Sequence, residues 1–151
     1  MERCYRQYSE EDLMKLLIYS GKEKFVSSGI DSKSQVIEGT DLSQTIEGAY
    51  NTVEAFDFIE SAEHENPLDM LLSRLRKGGT LSMQGVEAGK VTSLFLEGGM
   101  DSKSFSNLII TGNKRVVKVG DIIKHVESKS GYEIQFAGIS GIHYIVEVTR
   151  K

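Results

Sequence analysis

The segment from Ala55 to Val86 most constrains the fold, because it encodes a strand, a helix and a second strand with little chain left for connections. Ala55-Phe56-Asp57-Phe58-Ile59-Glu60-Ser61 is a compact apolar run predicted as a strand and broken by Glu63-His64-Glu65-Asn66-Pro67. Leu68, Met70, Leu71, Leu72 and Leu75 then follow in a helical pattern, with Asn66 as cap and Pro67 in the first turn, where a missing N–H does no harm. Arg74, Arg76 and Lys77 suit the carbonyl end of that helix, and Gly78-Gly79 is the expected left-handed stop. Thr80-Leu81-Ser82-Met83-Gln84-Gly85-Val86 reads as the second strand. Strands joined in this way are expected to lie parallel, with a right-handed crossover.

The rest of the chain carries weaker signals. Ser9-Glu10-Glu11-Asp12 ahead of Leu13, Met14, Leu16 and Leu17 predicts a capped helix ending at Ser20-Gly21. Phe25-Val26 suggests a brief strand or irregular loop within residues 22–34. Residues 35–42 combine Val36 and Ile37 with a Gly39-Thr40-Asp41 stop, as expected of a short buried strand, and residues 43–50 read as helical or turn-like. Val91-Thr92-Ser93-Leu94-Phe95-Leu96 is predicted as a strand. The apolar run at 107–113, continued by Arg115-Val116-Val117-Lys118-Val119, extends that pattern. Gly120-Asp121 opens a helix through Glu127 that Gly131 ends, and Tyr132-Glu133-Ile134-Gln135-Phe136 with residues 143–148 predicts an antiparallel hairpin. The Asp-Ser-Lys-Ser sequence at 31–34 and again at 101–104 reads as two polar loops of like composition.

Composition narrows the classes. A chain of 151 residues with 39% hydrophobic and 26% charged content suits a single folded domain spanning 1–151. The 18 Lys+Arg against 22 Asp+Glu give a net charge of -4, which argues against broad nucleic-acid binding. Cys4 is the lone cysteine and excludes an intramolecular disulfide. With no apolar run near the roughly 20 residues of a membrane span and an acidic start, the expected location is cytoplasmic, away from the membrane.

The run Phe56-Asp57-Phe58-Ile59-Glu60-Ser61-Ala62-Glu63-His64-Glu65-Asn66-Pro67, its leucine-rich helix and Leu75-Arg76-Lys77-Gly78-Gly79-Thr80-Leu81 together carry a family likeness. They resemble the fourth-strand to fifth-strand unit of class I S-adenosylmethionine-dependent methyltransferases. The late helix, Gly131-Tyr132-Glu133-Ile134 and residues 143–148 resemble that family's closing hairpin. The resemblance covers residues 36–84 and, more loosely, 105–150. It implies a three-layer, Rossmann-like α/β domain with a mixed sheet, truncated at its N-terminal side and ending in an antiparallel hairpin. S-adenosylmethionine is the cofactor it implies. One departure stands out: the family's first strand runs into an acidic-Gly-x-Gly-x-Gly loop, and the nearest segments here are Ser20-Gly21 and Ser27-Ser28-Gly29-Ile30-Asp31.

Candidate site residues follow from strand ends. Glu38 and Asp41, at the close of one strand, are expected to accept hydrogen bonds from a ribose or adenine edge, although Thr40-Asp41-Leu42-Ser43 is also a good helix cap. Ser61, Ala62 and Glu63 border the cofactor in the same reading, and His64 between Glu63 and Glu65 is the candidate base, with a solvated loop as the alternative. His64 and its acidic neighbours lack the third and fourth ligands of a metal site. Two functions stay open: methyl transfer to a small molecule or sugar, or a noncatalytic scaffold on a degenerate methyltransferase fold that assembles with itself or within a larger complex. The missing glycine loop favours the second, and the Phe56 to Leu81 likeness favours the first.

Overall fold

The computed structural model describes residues 14–19, 34–110 and 113–151. Its strands are β1 (Met14–Tyr19), β2 (Ser34–Glu38), β3 (Tyr50–Phe56), β4 (Leu75–Val86), β5 (Tyr132–Ser140) and β6 (His143–Arg150). Its helices are α1 (Phe58–Ser61), α2 (Pro67–Leu72), α3 (Ala88–Leu96), α4 (Ser102–Ile109) and α5 (Val119–Glu127). The strands form one six-stranded mixed sheet in the order β2-β1-β3-β4-β6-β5. From β2 to β4 all pairs are parallel, while β6 runs antiparallel to both β4 and β5. Val53 lies opposite Leu81 and Ala55 opposite Met83, so the two strands flanking α2 are parallel neighbours, as their connection requires.

The N-terminal expectation is overturned. Met14 to Tyr19 is the strand β1, not a helix. Leu16, Leu17 and Ile18 are all fully buried, which means both faces of this strand are covered, as for a central strand of a parallel sheet. An unbroken apolar run satisfies helical spacing by accident, because it satisfies every spacing. The predicted helix start at 9–13, its stop at Ser20-Gly21, the Phe25-Val26 segment and Cys4 lie outside the described residues.

Five further expectations shift. The strand expected over 55–61 is instead β3, ending at Phe56. Asp57 then turns the chain with a left-handed φ of 58°, and Phe58 to Ser61 form α1. Phe58, Ile59 and Ala62 all join the core from this turn of helix and its end. Helix α2 ends at Leu72, and Gly78-Gly79 falls inside β4 rather than stopping a helix. There the register jumps from Tyr50 opposite Leu75 to Thr52 opposite Thr80, an irregularity that Gly78 accommodates at φ +82°. Val91 to Leu96 belong to helix α3, because Glu87 Oε1 caps its start by accepting the Lys90 N–H at 3.1 Å. Asn107 to Ile109 belong to α4 and residues 115–118 are a loop, with no strand among the described residues of either run. The second Asp-Ser-Lys-Ser is the start of α4, where Asp101 Oδ1 accepts the Ser104 N–H at 2.7 Å. Asn66 does precede α2 and Pro67 does open it, although the Asn66 side chain makes no capping bond.

Alternation in the strands builds the core. Leu16, Ile18, Val53, Ala55, Leu81, Met83, Tyr144, Val146 and Val148 form one cluster with Leu68, Leu71 and Leu72 of α2 and with Ile122 and Val126 of α5. Each leucine, isoleucine, valine and methionine among them contributes roughly 1.5–3 kcal/mol on burial. The expected hairpin is β5 and β6, joined at Gly141 and Ile142, with Gly141 at φ +63°. Among the described residues, no helix is long and apolar enough to cross a membrane.

Candidate functional site

Strand order reverses between β1 and β3: the chain steps outward from β1 to β2, then returns past β1 to β3 and β4. In open α/β sheets, ligands bind outside the carboxyl ends of the strands at such a reversal. The rim here is formed by the ends of β2 at Glu38, β1 at Tyr19, β3 at Phe56 and β4 at Val86. Two backbone bonds fix the turns that leave it. The Gly39 N–H donates to the Tyr19 carbonyl at 3.0 Å, and the Asp57 N–H donates to the Gln84 carbonyl at 2.8 Å.

Glu38 and Asp41 stand exposed at the end of β2. Asp41 Oδ1 accepts the Ser43 N–H at 2.9 Å, and this bond holds the Asp41 carboxyl below its usual range. Asp41 therefore caps a turn, not a helix, since no helix follows it before β3.

Ser61, Ala62, Glu63 and His64 leave β3 through α1. Ser61 ends the helix half-buried, Ala62 is buried, and Glu63 and His64 are exposed. His64 Nδ1 accepts the Asn66 N–H at 2.9 Å, so the ring braces the approach to α2. The whole bend is clamped from 51 or more residues away. Arg115 Nη1 donates to the carbonyls of Ile59 at 2.7 Å and Ala62 at 2.9 Å, and Nη2 donates to that of His64 at 2.8 Å. β1 lies between β2 and β3, so the strand that ends at Glu38 and the strand that leads into α1 are not neighbours in the sheet. Among the described residues, no three His, Cys, Asp or Glu side chains are placed to hold a metal ion.

Three residues of this rim escape sequence reasoning: Asp57, Glu60 and Tyr144. A strand assigned across 55–61 conceals that Asp57 is the turn and that Glu60 points into the protein. Glu60 is buried, with Oε2 accepting the Val86 N–H at 2.8 Å and Oε1 the Tyr144 hydroxyl at 3.0 Å. Burial pushes its carboxyl up to about 7, assisted by the charge of Asp57 and opposed by the hydrogen bonds it accepts. The one advance signal is a left-handed turn residue, for which Asp is among the better choices after Gly.

An S-adenosylmethionine-dependent methyltransferase from Mesorhizobium loti is similar to 98% of this chain over 95% of its own, with a TM-score of 0.60 at 12% identity. Another from Thermotoga maritima is similar to 91% of this chain over 82% of its own, with a TM-score of 0.58 at 15% identity. The chain has the class I methyltransferase-like fold. No protein-family model and no curated protein matches its sequence. At such identity the likeness is one of fold, and a methyltransferase-like sheet says which edge carries ligands before it says which ligand.

Proposed function

We propose that this methyltransferase-like protein binds S-adenosylmethionine over the carboxyl ends of β1 and β3 and directs its methyl group to a small molecule or sugar. The reversal of strand order at β1 and β3 within a methyltransferase-like sheet carries this reading. The residues at hand suit the ligand: Asp41 is an exposed, readily ionised carboxylate beside Glu38, fitted to accept hydrogen bonds from ribose hydroxyls. The Asp57 carboxylate stands at the end of β3, where negative charge favours a sulfonium. When bound, the cofactor supplies an electrophilic methyl group; the protein's share is alignment of donor and acceptor. In this reading Ser61 at the end of α1, with Ala62 and Glu63 just beyond it, borders that space. His64 is the candidate base, and proton uptake at Nδ1 requires the loop before α2 to surrender the Asn66 bond.

Isothermal titration calorimetry with S-adenosylmethionine tests the reading. Saturable heat from the full chain, with affinity at least about tenfold weaker in an Asp41→Ala variant that still unfolds cooperatively, is the expected result. No heat at about 1 mM ligand overturns cofactor use. A stable oligomer or a co-purifying protein would then favour the noncatalytic assembly role.

A further inference from the structure

The sheet ends at β5, which among the described residues pairs with β6 alone. In an antiparallel pair alternate residues turn both backbone groups away from the partner strand, so β5 presents a row of N–H and C=O groups along its outer side. Folded proteins guard such an edge with lysine, proline or an inward-pointing charge. From Ile134 to Ser140 this edge has neither a charged residue nor a proline. Its one irregularity is at the start: Ile134 lies opposite Val148 and Phe136 opposite Glu147, which leaves Gln135 unmatched. Beyond that bulge Phe136 to Ser140 pair regularly with β6, and Phe136 and Ile139 are 52% and 48% exposed. The opposite edge, β2, is shorter, and its Gln35 side chain is already bonded to the Gln44 carbonyl and the Tyr50 hydroxyl.

The side chains of this stretch are complementary to a copy of themselves. Two identical strands paired antiparallel about a two-fold axis place their residues symmetrically around one centre, and for Phe136 to Ser140 that centre is Gly138. Ile139 of one copy then lies opposite Ala137 of the other, a large side chain against a small one, on the face where Ala137 meets Val146 and Ile139 meets Tyr144. On the other face the two Gly138 residues oppose each other. The Phe136 ring already leans over its own Gly138, where a Cβ would stand 3.3 Å from the ring Cζ, so a ring from each copy covers the glycine backbone beside the axis, as aromatic side chains do for edge glycines. No like charges meet across the pair, and a charged strand from another protein would find no answering charge. We propose that β5 docks a second copy of this chain, the two β5 strands pairing antiparallel about Gly138 so that one sheet continues through both copies. Pairing along so short a stretch buries less than the roughly 1,600 Å² of a standard interface, and the dimer is expected to be reversible, with a dissociation constant of about 50 µM.

Sedimentation of the full chain from about 5 to about 500 µM tests this. The weight-average mass is expected to climb from near that of one chain toward that of two, and amide hydrogen exchange at residues 136–140 should slow about threefold over the same range. In the proposed pairing the two Ile139 side chains are diagonal neighbours across the axis. Ile139→Lys alone and Ile139→Glu alone should therefore each dimerise at least about tenfold more weakly, while an equimolar mixture of the two recovers the native affinity. A native chain that stays monomeric at about 500 µM, exchange at 136–140 that ignores concentration, native affinity in both single variants, or no recovery in the mixture each overturns the proposal. The exchange measurement uses the native chain alone, so it decides the matter even where a variant folds poorly. No S-adenosylmethionine is present in the experiment, so its outcome is independent of cofactor binding at the rim.

Discussion

Glu60 and Tyr144 stand 84 residues apart in the chain, yet the Tyr144 hydroxyl donates to Glu60 Oε1 at 3.0 Å. The other carboxylate oxygen accepts the Val86 N–H, so one buried side chain joins α1, β4 and β6. The Glu60 carbonyl accepts from the N–H groups of Lys114 at 2.7 Å and Arg115 at 3.3 Å, which brings the 113–118 loop to the same point. Burial, reinforced by the Glu60 charge, pushes the Tyr144 phenol above its usual range.

Stability is expected to fall as pH rises from 4.5 to about 7, the ordinary and folded values for Glu60. In that window the native state keeps a proton that the unfolded chain has released, so the contribution is complete below the lower value and gone above the upper one. Glu60→Gln should abolish the slope, which amounts to on the order of 3 kcal/mol. Asp41, Asp69 and Asp101, all held below the usual range, act in the opposite sense at more acid pH. Urea titrations across the window measure the effect, and a flat profile in the native chain contradicts it.

Gly85→Ala is expected to cost about 2 kcal/mol. A Cβ at this position falls on Glu60 Oε2 and 2.5 Å from the Tyr144 hydroxyl oxygen. Because the Glu60 side chain is part of the obstruction, together with the Tyr144 ring, the same substitution should cost less, though not nothing, in a Glu60→Ala background. A double-mutant cycle reads that coupling directly; strict additivity would place the two residues out of contact.

Removing the clamp with Arg115→Ala should destabilise by about 2 kcal/mol, since three charge-assisted bonds to carbonyls are lost. Amide hydrogen exchange should quicken from residue 61 to 66. Arg115→Lys should restore less than half the loss, because a single ammonium cannot reproduce the fork that spans those carbonyls. Full rescue by lysine would reduce Arg115 to a point charge.

Asp57 allows strain and charge to be separated. At φ 58° its replacement by alanine is expected to cost about 1 kcal/mol, which Asp57→Gly should recover. Affinity for S-adenosylmethionine should nevertheless fall in both variants, as both lack the carboxylate. Glycine at native affinity would show that Asp57 shapes the turn alone.

Much of the fold was legible where local chemistry and tertiary need coincide. The Asn66-Pro67 start of α2, the helix α5 and the β5–β6 hairpin carry their own punctuation, and the short crossover at α2 leaves β3 and β4 little choice but to run parallel. The Glu38 and Asp41 carboxylates could be placed at a strand end on the same grounds. Met14 to Tyr19 and Val91 to Leu96 could not be assigned correctly, for complementary reasons. A strand covered on both faces has no alternation to display, and a short β-rich stretch becomes helix when Glu87 caps it. Turn chemistry alone did not separate Phe56 from Phe58, because both are apolar and only the Asp57 backbone divides strand from helix.

The sequence by itself determined the parallel pair, the closing hairpin and the carboxylates that follow β2, since each rests on residues a few positions apart. Tertiary structure alone decided that β1 lies inside the sheet, between β2 and β3, that Glu60 meets Tyr144, and that Arg115 grips the bend from Ile59 to His64. Those contacts join segments separated by dozens of residues, and a side chain's burial and charge state depend on neighbours that only the folded chain supplies.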